Sequence, residues 1–529
     1  MSNQLPIRLK QLSHPQCLPY LTQIQRGIEK EGLRVTPQGS IAQTKHPKAL
    51  GSALMHPSIT TDYSEALLEF ITPVFQRIDD SLDYLSDLHS FTMRHLKDEY
   101  LWPASMPCKL AGEHSIPIAQ YGSSNIGQIK HVYRQGLSLR YGRAMQSIAG
   151  IHYNFSMADD FWPHYQQLLN DQGDLQSFKS QHYFSLMRNF RRHSWLLIYL
   201  FGASPELDDS FIGSKQTEPL IKIKQDTLGL PFATSLRMSD LGYKSQAQCD
   251  LNISYHNLDS YVEDLSQAIA TPYPAYQKFE DSVNGSYHQL NANVLQLENE
   301  YYSDIRPKRV PHTGEKSLEA LSERGVEYIE VRILDINPLL AVGIDAQQIK
   351  FLDAFLLYCL LSDSPALSTE EQQEIEHNQQ RVILEGRRPS LMLTKNTQQV
   401  ALIDAASELL VEISDITNLL DQAHGNSTLL NTNSSYSDAL ASQVAKVKNS
   451  ELTPSGIISK ANSNGTNGNG FIASMNDLAR KHHSHFISRG LSDAMNTKLQ
   501  QATSQSLLQQ QELEASDDLS LSDFIKQYK

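Results

Sequence analysis

In Gln25–Val35 (QRGIEKEGLRV) Glu29 and Glu31 stand two residues apart, a spacing that on a strand turns both carboxylates to one face. Glu69 interrupts an apolar, strand-like pattern in Thr60–Pro73 (TTDYSEALLEFITP), with Asp62 in the turn before it. In Val326–Pro338 (VEYIEVRILDINP) Glu330 and Arg332 share a face while Ile329, Val331 and Ile333 take the other. Carboxylates set repeatedly into apolar strands are costly unless paired or bound to a cation. Oxygen donors from several strands suit Mg²⁺ or Mn²⁺, ions that also recruit nucleotide phosphates. His152 alternates with Asn154 in Ser147–Ser156 (SIAGIHYNFS) and adds a nitrogen donor. Any one of these groups alone is more often a solvated or ion-paired side chain. Their recurrence in four segments favours a metal site.

A second set pairs cations with aromatic residues. Arg134 follows Tyr133 in VYRQG, Arg237 lies in TSLRMSDLGY, and Arg306, Lys308 and Arg309 cluster in IRPKR. A guanidinium binds carboxylate or phosphate through two parallel hydrogen bonds, and Tyr243 and Tyr302 are placed to line a small-molecule pocket. No G-x-x-x-x-G-K-[ST] loop, G-x-G-x-x-G turn, G-x-S-x-G elbow or H-E-x-x-H helix occurs. A nucleotide would therefore be held through metal and cations on a sheet surface. Lys481–His485 (KHHSH) resembles a metal tract but follows a polar loop, and reads as solvated surface.

Period-two alternation predicts the strands that must carry these groups over 24–35, 66–73, 147–156, 290–302 and 326–334. Helical periodicity runs through 77–97 (Ile78, Leu82, Leu85, Leu88) and 345–361 (Ile349, Leu352, Phe355, Leu356), and further helices are expected at 179–201 and 402–421. After about residue 365 serine, asparagine and glutamine rise. Ala461–Gly470 (ANSNGTNGNG) reads as a flexible loop, and Leu499–Glu514 as a solvated, glutamine-rich helix.

The 529 residues carry 45 Lys and Arg against 59 Asp and Glu, a net charge of −14, which argues against a non-specific nucleic-acid binder. Residues 1–16 (MSNQLPIRLKQLSHPQ) contain no apolar core of a signal peptide. The longest apolar runs, Trp195–Phe201 and Ala354–Leu361, fall short of the ~20 residues of a membrane span. Four separated cysteines without a C-x-x-C pair suit a reducing, cytoplasmic setting, with Cys359 in core packing.

Twelve blocks, in order from about Gln25 to Pro389, carry a resemblance: RGIEKEGLRV, LGSALMHPSITTDYSEALLEFITP, LWPASMPC, AQYGSSNIG, VYRQGLSLRYG, GIHYNFS, LFGASP, ATSLRMSDLGY, VLQLENEYY, IRPKR, EYIEVRILDINP and RVILEGRRP. Together they resemble the glutamate–cysteine ligase family, in its single-chain gamma-proteobacterial form. Lys30 and Gly32 depart from the family pattern without altering an expected ligand. The resemblance implies an α+β, glutamine-synthetase-like fold whose curved antiparallel sheet forms a funnel surrounded by helices. It implies a catalytic core over 1–389, a mostly helical region over 390–529, and a monomer or weak oligomer. The implied activity joins L-glutamate to L-cysteine with ATP, in the presence of Mg²⁺ or Mn²⁺.

Carried over residue by residue, the metal ligands would be Glu29, Glu31, Asp62, Glu69, His152 and Glu330. Arg134 and Arg332 would meet the phosphates, and Arg237 an amino-acid carboxylate. Gln146 and Asn154 would help hold glutamate, while Tyr63, Tyr133, Tyr243 and Tyr302 would shape the cysteine pocket. The competing readings are a ligase of the same fold acting on another amine, a guanidino-kinase-like phosphotransferase, and a silent binding protein on this scaffold. A silent scaffold should have lost acidic or arginine positions, and every one is present.

Overall fold

The computed structural model describes residues 4–213, 219–241, 248, 251–279, 282–283, 286–312, 315–425, 434–464 and 470–528. Its centre is an antiparallel sheet of seven strands: β1 (Gln25–Val35), β2 (Ile59–Thr61), β3 (Leu67–Ile71), β4 (Tyr100–Leu101), β5 (Ile151–Ser156), β6 (Ile305–Lys308) and β7 (Tyr328–Leu334). The order across the sheet is β6-β7-β5-β1-β3-β2, and the short β4 pairs with the end of β1. Alternation along each strand divides the sheet into an apolar and a polar face. Ile28, Phe70, Tyr153, Phe155, Ile329 and Val331 are buried on the apolar side. The helix Ile78–His95 packs on β1 and β3, and Leu175–Phe201 packs on β6 and β7. Ala346–Leu361 lies against both of these helices. The result is α+β, as the resemblance implies.

A polar cluster that includes Arg26 is buried on the apolar side. The Arg26 guanidinium donates to Asp353 Oδ2 through Nε at 2.9 Å and Nη2 at 2.6 Å, and the Tyr153 hydroxyl donates to Asp353 Oδ1 at 2.6 Å. Tyr436 closes the group with its hydroxyl 3.3 Å from Arg26 Nη2. Arg26 and Asp353 have 2% and 0% of their surface exposed, so this ion pair ties β1 to the Ala346–Leu361 helix in a medium where neither charge is stable alone.

The predicted helices appear as Ile78–His95, Leu175–Phe201, Ala346–Leu361 and Leu402–Gly425. Some helix starts carry side-chain caps, with Ser124, Asp174 and Asp345 accepting from backbone N–H groups of the first turn. Beyond residue 400 the helices Tyr436–Lys448, Phe471–Arg489, Asp493–Ser516 and Leu521–Tyr528 follow. The first three of these and Leu402–Gly425 bury residues in the same core as the sheet, among them Leu410, Tyr436, Phe486 and Leu499.

Four sequence expectations are corrected. Residues 290–302 form no strand, because side chains claim their backbone: Gln296 Oε1 accepts from the Leu290 N–H and Glu300 Oε2 from the Gln296 N–H, and Glu298–Glu300 is a 3-10 turn. His482 of the KHHSH stretch is buried, 2.9 Å from the Pro338 carbonyl, because Phe471–Arg489 turns that residue toward the Ile78–His95 helix side of the core. The glutamine-rich helix is docked along one edge, with the Ser506 hydroxyl accepting from the Ser52 N–H at 3.0 Å. The helix Pro454–Asn464 takes in the start of the expected loop, since after Gly456 in its first turn no further glycine occurs before 465. Residues 465–469, Tyr243 and Cys249 lie outside the described residues. Cys359 packs in the core, as its setting predicts. Among the described residues no helix is long and apolar enough to cross a membrane.

Candidate active site

Strand register assembles the carboxylates. Glu31 pairs with Glu69 across β1 and β3, Glu29 with His152 across β1 and β5, and Glu330 with both Asn154 of β5 and Arg306 of β6. Residues in register share a face, so these side chains form one row on the polar side of five adjoining strands. His152 sits at its middle: Nδ1 is 3.1 Å from Glu29 Oε2 and 3.3 Å from Glu330 Oε1, and Nε2 is 3.8 Å from Glu31 Oε1. The Asn154 amide donates to Glu29 Oε1 at 2.8 Å.

This donor set fits a hard divalent cation. Glu29, His152 and Glu330 bring one ligand atom each within 4.8 Å of one another, and Glu31, Glu69 and His152 do the same. Asn154 Oδ1 is buried without a hydrogen-bond partner among the described residues, and Glu330 Oε2 has no hydrogen bond there, only the Lys308 ammonium at 3.6 Å. Buried oxygens left open in this way are expensive unless something else binds them. Carboxylate oxygens with one imidazole match Mg²⁺ or Mn²⁺, and exclude the thiolate sites preferred by softer metals.

The electrostatics divide the row. Burial raises Glu69 well above the ordinary carboxylate range, and the nearby charges of Glu29, Asp62 and Glu31 push it further. Burial also raises Glu31, against the attraction of His152. For Glu330 burial is outweighed by Lys308, Arg332, His152 and Arg306, which hold it well below that range. For Glu29 burial is outweighed by the hydrogen bond with His152. The β1–β3 end thus carries negative charge with too few cations beside it, and the β6–β7 end is neutralised by protein cations.

A cavity of about 380 Å³ opens over this row. Its walls include Glu29, Glu31, Asp62, Glu69, His152 and Glu330, the cations Arg134, Arg237 and Arg332, and Tyr63, Tyr133, Gln146 and Tyr302. Asn154 stands just behind, through its bond to Glu29. Arg134 comes from the helix Asn125–Tyr141; its Nε donates to the Asp62 carbonyl at 2.5 Å and its guanidinium stacks 4.6 Å from the Tyr121 ring. Arg332 Nη1 donates to Glu330 Oε1 at 2.9 Å. Arg237 is almost fully buried, with Nη2 donating to the Arg332 carbonyl at 2.9 Å. Of the IRPKR cations, Arg306 and Lys308 line the cavity, whereas Arg309 donates to the Arg324 carbonyl and lies outside its walls.

The sequence alone did not single out several wall residues. Lys130 sits one turn before Arg134 on the same helical stripe, and burial, then the charge of Arg134, lowers it to about 8. Glu300 accepts from the Arg140 guanidinium at 2.9 Å and from the Tyr141 hydroxyl at 2.6 Å. Gly150 is also required: a Cβ there would lie 2.2 Å from Arg237 Nη2, so the guanidinium reaches the cavity over a bare backbone. For Lys130 the helical spacing from Arg134 was a usable signal. Tyr528, the last residue of the helix Leu521–Tyr528, also lines the cavity, and for it and Glu300 no local pattern marks the position.

The glutamate–cysteine ligase family model matches residues 9–382. The glutamate–cysteine ligase of Pseudomonas paraeruginosa is 49% identical over 529 residues, covering 100% of this chain and 98% of its own. That of Hahella chejuensis is 49% identical over 535 residues, covering 100% and 99%. The crystal structure of the Francisella tularensis glutamate–cysteine ligase in complex with AMP superposes with a TM-score of 0.88 at 37% identity, covering 96% of this chain and 97% of that one. A bifunctional glutathione synthetase from Pasteurella multocida superposes with a TM-score of 0.70 at 26% identity, this chain matching 55% of its length. With a row of carboxylates and a ring of cations facing one cavity, the chain belongs to the glutamate–cysteine ligase family.

Proposed function

We propose that this chain uses ATP to join the γ-carboxylate of L-glutamate to the amine of L-cysteine, giving γ-glutamylcysteine, ADP and phosphate, the first step of glutathione biosynthesis. The observation that carries this reading is the shared face on which Glu29, Glu31, Glu69, His152 and Glu330 meet Arg134 and Arg332. We place the ligase core within residues 1–389, with the later helices as its support.

A carboxylate is a poor acyl donor, because its leaving group would be oxide. Transfer of the ATP γ-phosphoryl group to the glutamate γ-carboxylate makes phosphate the leaving group. In this reading Glu29, Glu31, Asp62, Glu69, His152 and Glu330 hold Mg²⁺ or Mn²⁺. The metal, when bound, offsets charge on the migrating phosphoryl oxygens. Arg134 and Arg332 neutralise the same oxygens from the protein side, each fixed by a hydrogen bond to its neighbour. Arg237 grips an amino-acid carboxylate. Gln146 and Asn154 orient glutamate, the amide oxygen of Asn154 being open to accept from an ammonium group. Tyr63, Tyr133 and Tyr302 bound the space for cysteine, whose amine attacks the acyl phosphate and expels phosphate.

The test is an assay with glutamate, cysteine, ATP and Mg²⁺ that follows ADP and detects the dipeptide by mass. Equal amounts of ADP and γ-glutamylcysteine are expected. ADP release that responds to another amine but not to cysteine would reassign the chain to a related ligase. Without cysteine, slow ADP release and positional isotope exchange in ATP are expected, because the acyl phosphate forms first. Absence of both, with glutamate and ATP bound, would favour a concerted route.

Arg237→Lys should weaken apparent amino-acid affinity by about ten- to a hundredfold, the cost of one charge-assisted hydrogen bond, and leave ATP affinity nearly unchanged. Lysine keeps the charge but lacks the planar fork. Separate titrations of glutamate, cysteine and ATP decide it; a variant impaired mainly for ATP would place Arg237 at the nucleotide instead.

A further inference from the structure

The helix Leu521–Tyr528 is separated from the carboxylate row by more than 190 positions of sequence from Glu330, yet Tyr528 lines the same cavity. The helix docks on Asn125–Tyr141, the helix that carries Tyr133 and Arg134. Ile525 is buried against Ile129, Val132 and Leu290. The approach is tethered: the Asn125 N–H donates to Asp517 Oδ2 at 2.5 Å, its side-chain amide to the Leu519 carbonyl at 2.9 Å, and the Ser123 N–H to Glu514 Oε1 at 2.9 Å. Three bonds at the start of one helix and an apolar contact along its side fix where Tyr528 falls.

A second cavity, of about 480 Å³ and mostly apolar, lies next to the first. Leu297 and Tyr528 line both. These two side chains are therefore a partition, and Ile525 holds one half of it in place from the side of the second cavity.

We propose that the Leu521–Tyr528 helix is a working wall of the active site, with Tyr528 as a positioning residue that keeps water from the acyl phosphate and holds the Tyr133 side of the cavity. This rests on the ligase reading. An acyl phosphate exposed to water is lost: water adds at the γ-carbon, the bond to the phosphate oxygen breaks, phosphate leaves, and a proton passes to solvent, returning glutamate. Each such event consumes one ATP and yields no dipeptide. Excluding water is thus a requirement of the chemistry, and the Tyr528 ring is one of two side chains that line both this cavity and its neighbour.

The experiment compares Tyr528→Ala, Ile525→Ser and Tyr528→Phe in the full chain, measuring ADP and dipeptide in the same reaction together with KM for cysteine. Tyr528→Ala and Ile525→Ser should raise the ratio of ADP to dipeptide by about threefold or more, with a higher KM for cysteine. Tyr528→Phe keeps the ring and should bring the ratio back near the parent value. Loss of rate with an unchanged ratio in Tyr528→Ala overturns the proposal, since a merely structural role slows turnover without diverting it. Tyr528 is half-buried at the end of a helix, so its variant stays folded and decides the matter even where Ile525→Ser does not. Failure of the parent chain to make the dipeptide would instead overturn the ligase reading, which separates the two.

Discussion

Replacing Glu330 or Glu69 by Gln is expected to cut dipeptide formation by at least about a hundredfold, equivalent to some ~3 kcal/mol of lost transition-state stabilisation. An amide matches the carboxylate in shape but brings no charge to a cation. The chain should stay folded, because both residues face the cavity rather than the apolar side of the sheet. Glu69→Gln also removes one of several mutually repelling carboxylates. The effect should appear as a raised Mg²⁺ requirement and a lower limiting rate. The two variants need not be equal: Glu330 also orients Arg332 through a 2.9 Å hydrogen bond, so its loss disturbs a second group of the proposed mechanism. Near-normal rate at saturating Mg²⁺ in either variant would remove that residue from the metal site.

The second large effect is on stability. Asp353→Ala leaves the Arg26 guanidinium buried with its carboxylate gone, and should cost about 3–5 kcal/mol. The Tyr153 hydroxyl loses its acceptor in the same change. The measurement is the denaturant midpoint, with soluble yield as a second sign. Replacing both charges together, Arg26→Met with Asp353→Leu, should recover much of the loss, because an apolar pair of similar volume carries no desolvation penalty. A midpoint unchanged in Asp353→Ala would mean that water reaches Arg26 and that the pair is not sealed.

Much of the site was legible because strand chemistry is local. The alternation of Glu29 with Glu31, of His152 with Asn154, and of Glu330 with Arg332 reports the exposed face directly, and the structure brings these residues into one row. The helices were legible for the same reason at another period. The misread segments share a cause. Residues 290–302 alternate like a strand, but Gln296 and Glu300 spend their side chains on nearby backbone N–H groups, and sequence does not show where a side chain turns back. His482 looks polar in a polar run, and only the docking of its helix buries it. Tyr528 and Glu300 reach the cavity through contacts between distant segments, which no window along the chain contains.

β1 has no idle side. Arg26, Ile28 and Lys30 belong to the packed interior, while Glu29 and Glu31 on the alternate positions meet the cavity. A strand with both faces committed cannot slip: one inserted residue before Glu29 would exchange the two sets, sending carboxylates into the core and aliphatics into the cavity at once. Around β1, length variation is therefore expected only in the connections on either side of the strand. Change within β1 is restricted to substitutions that respect the side on which each residue stands.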